Sequence, residues 1–162
     1  MSMTTPKENY SFSHGLKVAW LGLKFMAIRK PLIFAWVNLF GTWFVGGAGL
    51  MLYWGSTSIL PIVCLITPLV TLPWFVLIAS KFGFSRITGM PRALPWLVAM
   101  WIAVAEYLDG SYLSQPEGYT TFLVGFIIIN GICTLIDFID IYRWLSGDRD
   151  EHPDTGFFQG AY

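Results

Sequence analysis

The chain has 162 residues, of which 55% are hydrophobic and 12% are charged, whereas a typical soluble domain has about 25% charged residues. Its formal net charge is zero, so the total charge gives no indication of a nucleic-acid partner. A mean hydropathy of +0.58 indicates a chain whose solvent is mostly lipid. The composition therefore predicts an all-α membrane protein.

The N-terminal part of the chain is predicted to contain two segments that precede the membrane spans. Residues 1–11 are polar and are expected to be flexible, and residues 12–30 are expected to form an amphipathic helix in the membrane interface. One face of this helix carries apolar residues at helical spacing: Leu16, Trp20, Leu23 and Ala27. Lys17 and Lys24 lie on another face. A cytoplasmic extension of the first span is the alternative, although Pro31 favours a break before that span.

Four apolar segments follow, and together they predict a transmembrane domain at residues 31–145 built as a four-helix bundle. The predicted spans are residues 31–54, 59–80, 93–108 and 120–145. The third of these is the shortest. Pro68 and Pro73 lie deep in the second span and predict a bend there, because proline removes a helical hydrogen bond. Residues 146–162 are predicted to form a polar cytoplasmic tail.

The lysines and arginines separate completely between the two sides of this bundle. If the N-terminus is cytoplasmic, all ten lie on the cytoplasmic side: five before the first span, three between the second and third, and two at the C-terminal end. The other side holds Asp109 and Glu117. The positive-inside rule therefore predicts a multi-pass protein of the inner (plasma) membrane with both termini in the cytoplasm.

The fourth span carries a polar stripe on an otherwise apolar helix. On a helical wheel its members fall within about a third of the circumference. They are Asn130, Cys133, Thr134, Asp137 and Asp140. An aspartate at the centre of the bilayer costs about 2.5–3.5 kcal/mol on insertion scales. The stripe is therefore predicted to face other helices, a partner protein or water.

The two aspartates of the stripe differ in predicted depth. Asp140 lies near the membrane boundary and is expected to pair with Arg143 along the helix. Asp137 is deeper and is expected to meet a basic group from the N-terminal helix, from Lys81 or from Arg86. Two interpretations stay open for Asp137: a proton, cation or subunit contact site, or a buried and paired acid that holds the bundle together.

Two further polar residues are secondary candidates. Glu106 lies near the outer boundary, and no ionisable residue is predicted to connect it with Asp137. Asn130 is at mid-membrane depth and is expected to hydrogen-bond to another helix, for which Asn38 is the proposed partner. The face of the first span that carries Asn38 also contains Thr42, Val45 and Gly49, which are small or hydrogen-bonding residues suited to a neighbouring helix.

The sequence contains no pattern typical of a cofactor, a metal site or a catalytic centre. Cys64 and Cys133 lie inside apolar runs, and His14 and His152 lie outside the spans, so neither a disulfide nor a metal site is predicted. The chain has no HExxH, GxSxG, Walker or GxGxxG motif. We therefore expect no enzyme activity and no cofactor.

The function favoured by these observations is that of a non-catalytic accessory or assembly subunit of a larger membrane complex. Its expected partners are the lipid bilayer and other membrane-protein subunits or further copies of itself, and no nucleic acid. Two alternatives stay open. One is a small proton- or ion-coupled channel or transporter that uses Asp137 and Glu106. The other is a membrane-embedded immunity-type protein that binds a toxin.

Overall fold

A computed structural model of the protein describes residues 11–82 and 86–148. This part of the chain contains helices and short connections, and no strand. Almost all of the predicted flexible segment, residues 1–11, and most of the predicted tail, residues 146–162, lie outside the described residues. Those two predictions stay predictions.

Six α-helices make up the described fold. They are α1 (Phe12–Arg29), α2 (Pro31–Gly41), α3 (Gly47–Tyr53), α4 (Leu60–Phe82), α5 (Met90–Asp109) and α6 (Tyr119–Leu145). A π-helical segment, Thr42–Gly46, joins α2 to α3. Short 3-10 turns, Arg86–Gly89 and Ser111–Ser114, precede and follow α5.

Within the described residues, four helical stretches are long and apolar enough to cross a membrane, as the sequence predicts. They are Pro31–Tyr53 (span 1), Leu60–Phe82, Arg86–Asp109 and Tyr119–Leu145. Three of them match the predicted bounds to within about two residues. The third was predicted as residues 93–108 and begins earlier, because the turn Arg86–Gly89 leads directly into α5, whose first turn contains Pro91.

The core lies between α3, α4, α5 and α6 and is built of aromatic rings and alanines. The ring of Phe44 lies 4.6 Å from that of Phe126 and 4.9 Å from that of Trp96, measured between centroids. Ala99 and Ala103 on α5 are fully buried, which allows the neighbouring helices to approach closely. Packing of this kind, rather than hydrophobicity, holds helices together in lipid.

Helix α1 packs against α4 through a face different from its predicted apolar face. Its buried residues are Gly15, Val18, Gly22 and Phe25. Gly15 lies against the main-chain oxygen of Val76 so closely that no side chain would fit there. The predicted apolar face is exposed: Leu16, Trp20, Leu23 and Ala27.

Span 1 is packed at one end and free at the other. Ala48 and Met51 of α3 are buried, whereas α2 buries no residue against residues 11–82 and 86–148. The π-helical segment lies at the boundary between these halves. Only 11% of the most apolar stretch of span 1 is buried, against 28%, 44% and 33% in the other three spans. Span 1 is therefore the least enclosed of the four.

Helix α4 runs continuously through Pro68 and Pro73. Each proline lacks the N–H that would bond to a carbonyl one turn earlier. The hydroxyl of Thr71 donates to the main-chain oxygen of Pro68 at 3.3 Å, between the two prolines. The carbonyls that lose a donor are those of Cys64 and Leu69, so the Thr71 bond adds a local contact between the prolines and does not replace the missing N–H groups.

Candidate functional sites at the two ends of the bundle

Asp137 is a buried acid whose partner is Arg92. The carboxylate lies on the inward face of α6, and a guanidinium nitrogen of Arg92 forms a salt bridge with its Oδ1. The predicted partners, namely the N-terminal helix, Lys81 or Arg86, are wrong. Because α5 begins at Met90, Arg92 belongs to its first turn and reaches across to α6.

The turn before α5 brings the main chain up to the same carboxylate. Gly89 is buried, and a Cβ placed on it would lie 2.9 Å from Oδ1 of Asp137. The two groups can approach this closely because glycine has no side chain. Gly89 is also the N-cap of α5, so the carboxylate lies at a helix N-terminus, where a negative charge is favoured.

A second set of ion pairs lies beside Asp137 and is partly exposed. Arg86 bonds to Asp140 at 3.2 Å, and Asp148 lies 3.5 Å from Arg86 and 2.7 Å from Arg143. The predicted pair of Asp140 with Arg143 is therefore wrong. After α6 the chain turns at Gly147, with φ of +100°, and this turn brings Asp148 back to Arg143.

The charges in this cluster balance. It contains three arginines, Arg86, Arg92 and Arg143, and three aspartates, Asp137, Asp140 and Asp148. Because each of these carboxylates already binds an arginine, a metal cation would have to displace that arginine in order to bind here. Within residues 11–82 and 86–148 no group of three or more His, Cys, Asp or Glu side chains is placed to hold a metal.

The rest of the polar stripe is divided between two neighbouring helices. Asn130 is buried and donates through Nδ2 to the main-chain oxygen of Trp96 on α5, at 3.1 Å. Cys133 is half-buried and accepts from the indole N–H of Trp36 on α2, at 3.4 Å. Thr134 is buried. The stripe thus faces α5 through Asn130 and span 1 through Cys133.

Asn38 is not the partner of Asn130, contrary to the prediction. Its Nδ2 donates to the main-chain oxygen of Phe34, one turn earlier in its own helix, at 2.8 Å. The side of α2 that carries Asn38 is exposed. Because Asn130 is directed towards α5, the two amides do not meet.

At the other end of the bundle, Glu106 is held by two hydroxyl groups. Ser58 Oγ donates to Glu106 Oε1 at 2.5 Å, and the Tyr119 hydroxyl donates to Oε2 at 2.5 Å. Tyr119 is fully buried, and Ser58 Oγ also accepts from the N–H of Leu60 at the start of α4, at 3.0 Å. The described contacts of Glu106 include no arginine or lysine. The carboxylate therefore ties together the ends of α4, α5 and α6.

Two loops at this end of the bundle are joined by one glutamine beside this cluster. Gln115 Oε1 accepts from the Ser56 hydroxyl at 2.9 Å and from the N–H of Thr57 at 3.0 Å. Its Nε2 donates to the Thr57 hydroxyl at 3.2 Å. The amide thereby links the loop after span 1 to the loop after α5.

The sequence prediction missed Arg92, Ser58 and Tyr119. Arg92 was assigned to a loop, because Pro91 and the turn residues before it delayed the predicted start of the third span. Ser58 could have been found as a helix-capping serine two residues before α4. Tyr119 carries no signal of its own in the sequence, since its role depends on Glu106 lying opposite it.

Between the two ends the interior is occupied by the packed rings of Phe44, Trp96 and Phe126. Glu106 and Asp137 therefore belong to separate clusters. No family model matches the chain, and no curated protein or solved structure is significantly similar to it.

Proposed function

We propose that this protein is a non-catalytic accessory or assembly subunit of a larger membrane complex. The observation that carries the proposal is that α2, Pro31–Gly41, buries no residue against the described part of the chain, although it forms half of a candidate membrane span. Helices in lipid associate through close packing and interhelical hydrogen bonds. Within the described chain α2 has little of either, so most of its surface is available to a partner.

Asn38 distinguishes this surface from one that lipid alone would cover. It lies seven residues after Pro31, about 10 Å into the membrane, and its side is exposed. Lipid tails offer no hydrogen bond to an amide, whereas a neighbouring helix does. An exposed amide at this depth supports a protein partner.

The charged residues support a structural role rather than chemistry. Asp137 is already neutralised by Arg92, and Glu106 accepts from two hydroxyls. Both carboxylates join different helices of the bundle. Such contacts stabilise a bundle that has to present a defined surface to its partner.

We further propose that both termini lie in the cytoplasm of a cell whose inner membrane holds the bundle. The described bases group at one end, where Lys81, Arg86 and Arg143 lie near the ends of α4 and α6. Glu106 and Asp109 lie at the end of α5 that faces the other side. This asymmetry supports the positive-inside orientation.

The same proposal treats α1 as an amphipathic interfacial helix. Lys17 and Lys24 are exposed, as is the apolar side chain of Trp20 between them, and the Lys24 ammonium lies 5.3 Å from the Trp20 ring centroid. Gly15 contacts Val76 near the C-terminal end of α4. Exposed tryptophan and lysine side by side are typical of the headgroup region.

Extraction in a mild detergent tests the accessory function. The full-length chain carrying an affinity tag should be recovered in a complex larger than one chain, with the same composition in independent preparations. A lone monomer that recovers no other chain, in both detergent and lipid nanodiscs, would contradict the proposal.

A small proton- or ion-coupled transporter is the second candidate, favoured by one observation: Glu106 has no arginine or lysine among its described contacts. The aromatic rings packed in the interior of the bundle argue against the transporter, because they separate Glu106 from Asp137. Flux through reconstituted vesicles separates the two candidates. Flux that is abolished by both Glu106→Gln and Asp137→Asn would favour the transporter, and no flux with the unsubstituted chain favours the accessory subunit.

A further inference from the structure

The exposed side of span 1 carries a row of three polar or small residues at spacings of four. Asn38, Thr42 and Gly46 are all exposed. The row crosses from α2 into the π-helical segment, so it covers the middle of the span. We call these residues the span 1 stripe.

The hydrogen-bonding groups of the stripe are incompletely used within the described part of the chain. Asn38 uses one N–H on the main-chain oxygen of Phe34, and its second N–H and its Oδ1 make no bond there. The Thr42 hydroxyl likewise makes no side-chain hydrogen bond among residues 11–82 and 86–148. Both groups lie at a depth where water is absent, so they favour a protein neighbour.

Contacts among the described residues do not require a glycine at Gly46, whereas they do at the adjacent Gly47. A Cβ on Gly47 would lie 2.9 Å from the ring of Phe122, so that glycine permits packing between α3 and α6. A Cβ on Gly46 would meet only its own helix, at 3.8 Å from Cγ2 of Thr42. Intrachain packing therefore leaves the space beside Gly46 open to another backbone.

We propose that span 1 of a second copy of this chain packs against the span 1 stripe, with the Asn38 amides of the two copies hydrogen-bonded to each other. The proposal rests on the accessory-subunit function. It identifies a second copy of the chain as the partner that covers the exposed side of span 1. It combines small residues that allow close approach with an amide that bonds across the interface.

Symmetry favours a second copy over an unrelated helix. All copies insert with one orientation, so a two-fold axis between two of them runs along the membrane normal. Equivalent residues then face each other at the same depth, and Asn38 meets Asn38. A primary amide is both donor and acceptor and so complements itself. Residues 31–54 contain no charged residue, so no like-charge repulsion opposes the contact.

The test measures the self-association of the full-length chain in lipid nanodiscs and in mild detergent, by native mass spectrometry and by energy transfer between differently labelled copies. The variants are Asn38→Leu, which removes the amide, and Gly46→Leu, which separates the backbones. Thr121→Leu is the matched control, because Thr121 is also an exposed polar residue in a span, on α6.

We expect the unsubstituted chain and Thr121→Leu to form dimers. Asn38→Leu should weaken the dimer by about threefold to thirtyfold, the range for a polar contact between membrane helices. Gly46→Leu should weaken it more, because close backbone approach is lost. Thermal unfolding of the monomer should be unchanged in both variants, which excludes misfolding as the cause.

Three outcomes would overturn the inference, and they separate it from the accessory function. Dimers unaffected by Asn38→Leu and Gly46→Leu would show that the copies meet elsewhere. A chain that is monomeric alone but recovers a different membrane protein, lost in Gly46→Leu, would replace the second copy by that protein and keep the accessory function. A monomer that recovers nothing would contradict both.

Discussion

The main chain of Gly89 lies directly against the buried carboxylate of Asp137, leaving 2.9 Å between Oδ1 and the position of a Cβ at residue 89, and 3.3 Å to Cγ. This contact joins the turn before α5 to the inward face of α6. Gly89 has φ of −71°, which any residue adopts, so its requirement is one of space and not of backbone conformation.

The first prediction concerns Gly89→Ala. The new methyl group would collide with a carboxylate that Arg92 holds in place, so the free energy of unfolding should fall by about 1–3 kcal/mol. Unfolding in mixed detergent micelles, followed by tryptophan fluorescence, measures it. Gly131→Ala is the control, because its Cβ would meet only the flexible end of Met100, at 3.7 Å. Equal effects of the two changes would contradict the close contact at Gly89.

The second prediction concerns the pair of Arg92 and Asp137. Arg92→Gln leaves a buried carboxylate without its cation and should cost about 2–4 kcal/mol in unfolding free energy. Adding Asp137→Asn should restore part of that loss, because the unpaired charge is then gone. A double-mutant cycle measures this coupling.

Arg143→Gln is the comparison for that cycle. Its pair with Asp148 is 49% exposed on the arginine side and 32% on the aspartate side, so the cost should stay below about 1 kcal/mol. Additive effects of Arg92→Gln and Asp137→Asn would show that the two residues do not interact.

The third prediction concerns the cluster around Glu106. Tyr119→Phe removes one of the two hydroxyl donors to Glu106 in a buried position and should lower the free energy of unfolding by about 1–3 kcal/mol. Tyr112→Phe serves as control and should change stability by less than about 0.5 kcal/mol. The combination of Tyr119→Phe with Glu106→Gln should cost less than the sum of the two single changes. Strict additivity would count against the described hydrogen bond.

The fourth prediction concerns the hydrogen bond between Trp36 of α2 and Cys133 of α6. Trp36 donates to Cys133, whereas Cys64 is fully buried in the core. A maleimide should label Cys133 slowly and Cys64 not at all in the folded protein. Trp36→Ala should raise the labelling rate of Cys133 several-fold by uncovering its sulfur. Trp101→Ala, a change at an exposed tryptophan of α5, should leave the rate unchanged. An unchanged rate in Trp36→Ala would mean that Trp36 does not shield Cys133.

The contacts of the polar stripe on α6 show what a helical wheel can predict and what it cannot. The wheel groups Asn130, Cys133 and Asp137 correctly on one side of α6, because the rotation per residue is a property of any helix. It does not show which helix each one meets. Asn130 bonds to α5 and Cys133 to α2, and that division depends on how α6 is oriented between its neighbours.

The errors in the predicted partners have a common cause. Asp140 was assigned to Arg143 because the two are three residues apart, yet Asp140 bonds to Arg86, 54 residues away. Local spacing identifies pairs that are geometrically possible. It cannot predict that Arg86, from a turn far away in the sequence, competes for the same carboxylate. The turn at Gly147 then supplies Arg143 with Asp148 instead.

The sequence by itself determined that four segments can cross a membrane, because span length and hydropathy are properties of contiguous residues. It also predicts that all ten lysines and arginines lie on one side of the bundle. Only the tertiary structure decided that Asp137 pairs with Arg92, that Glu106 accepts from Ser58 and Tyr119, and that α2 buries no residue within the described part of the chain. Those facts depend on where each helix begins and on which side it presents to its neighbours. Both are set by packing between residues far apart in the chain.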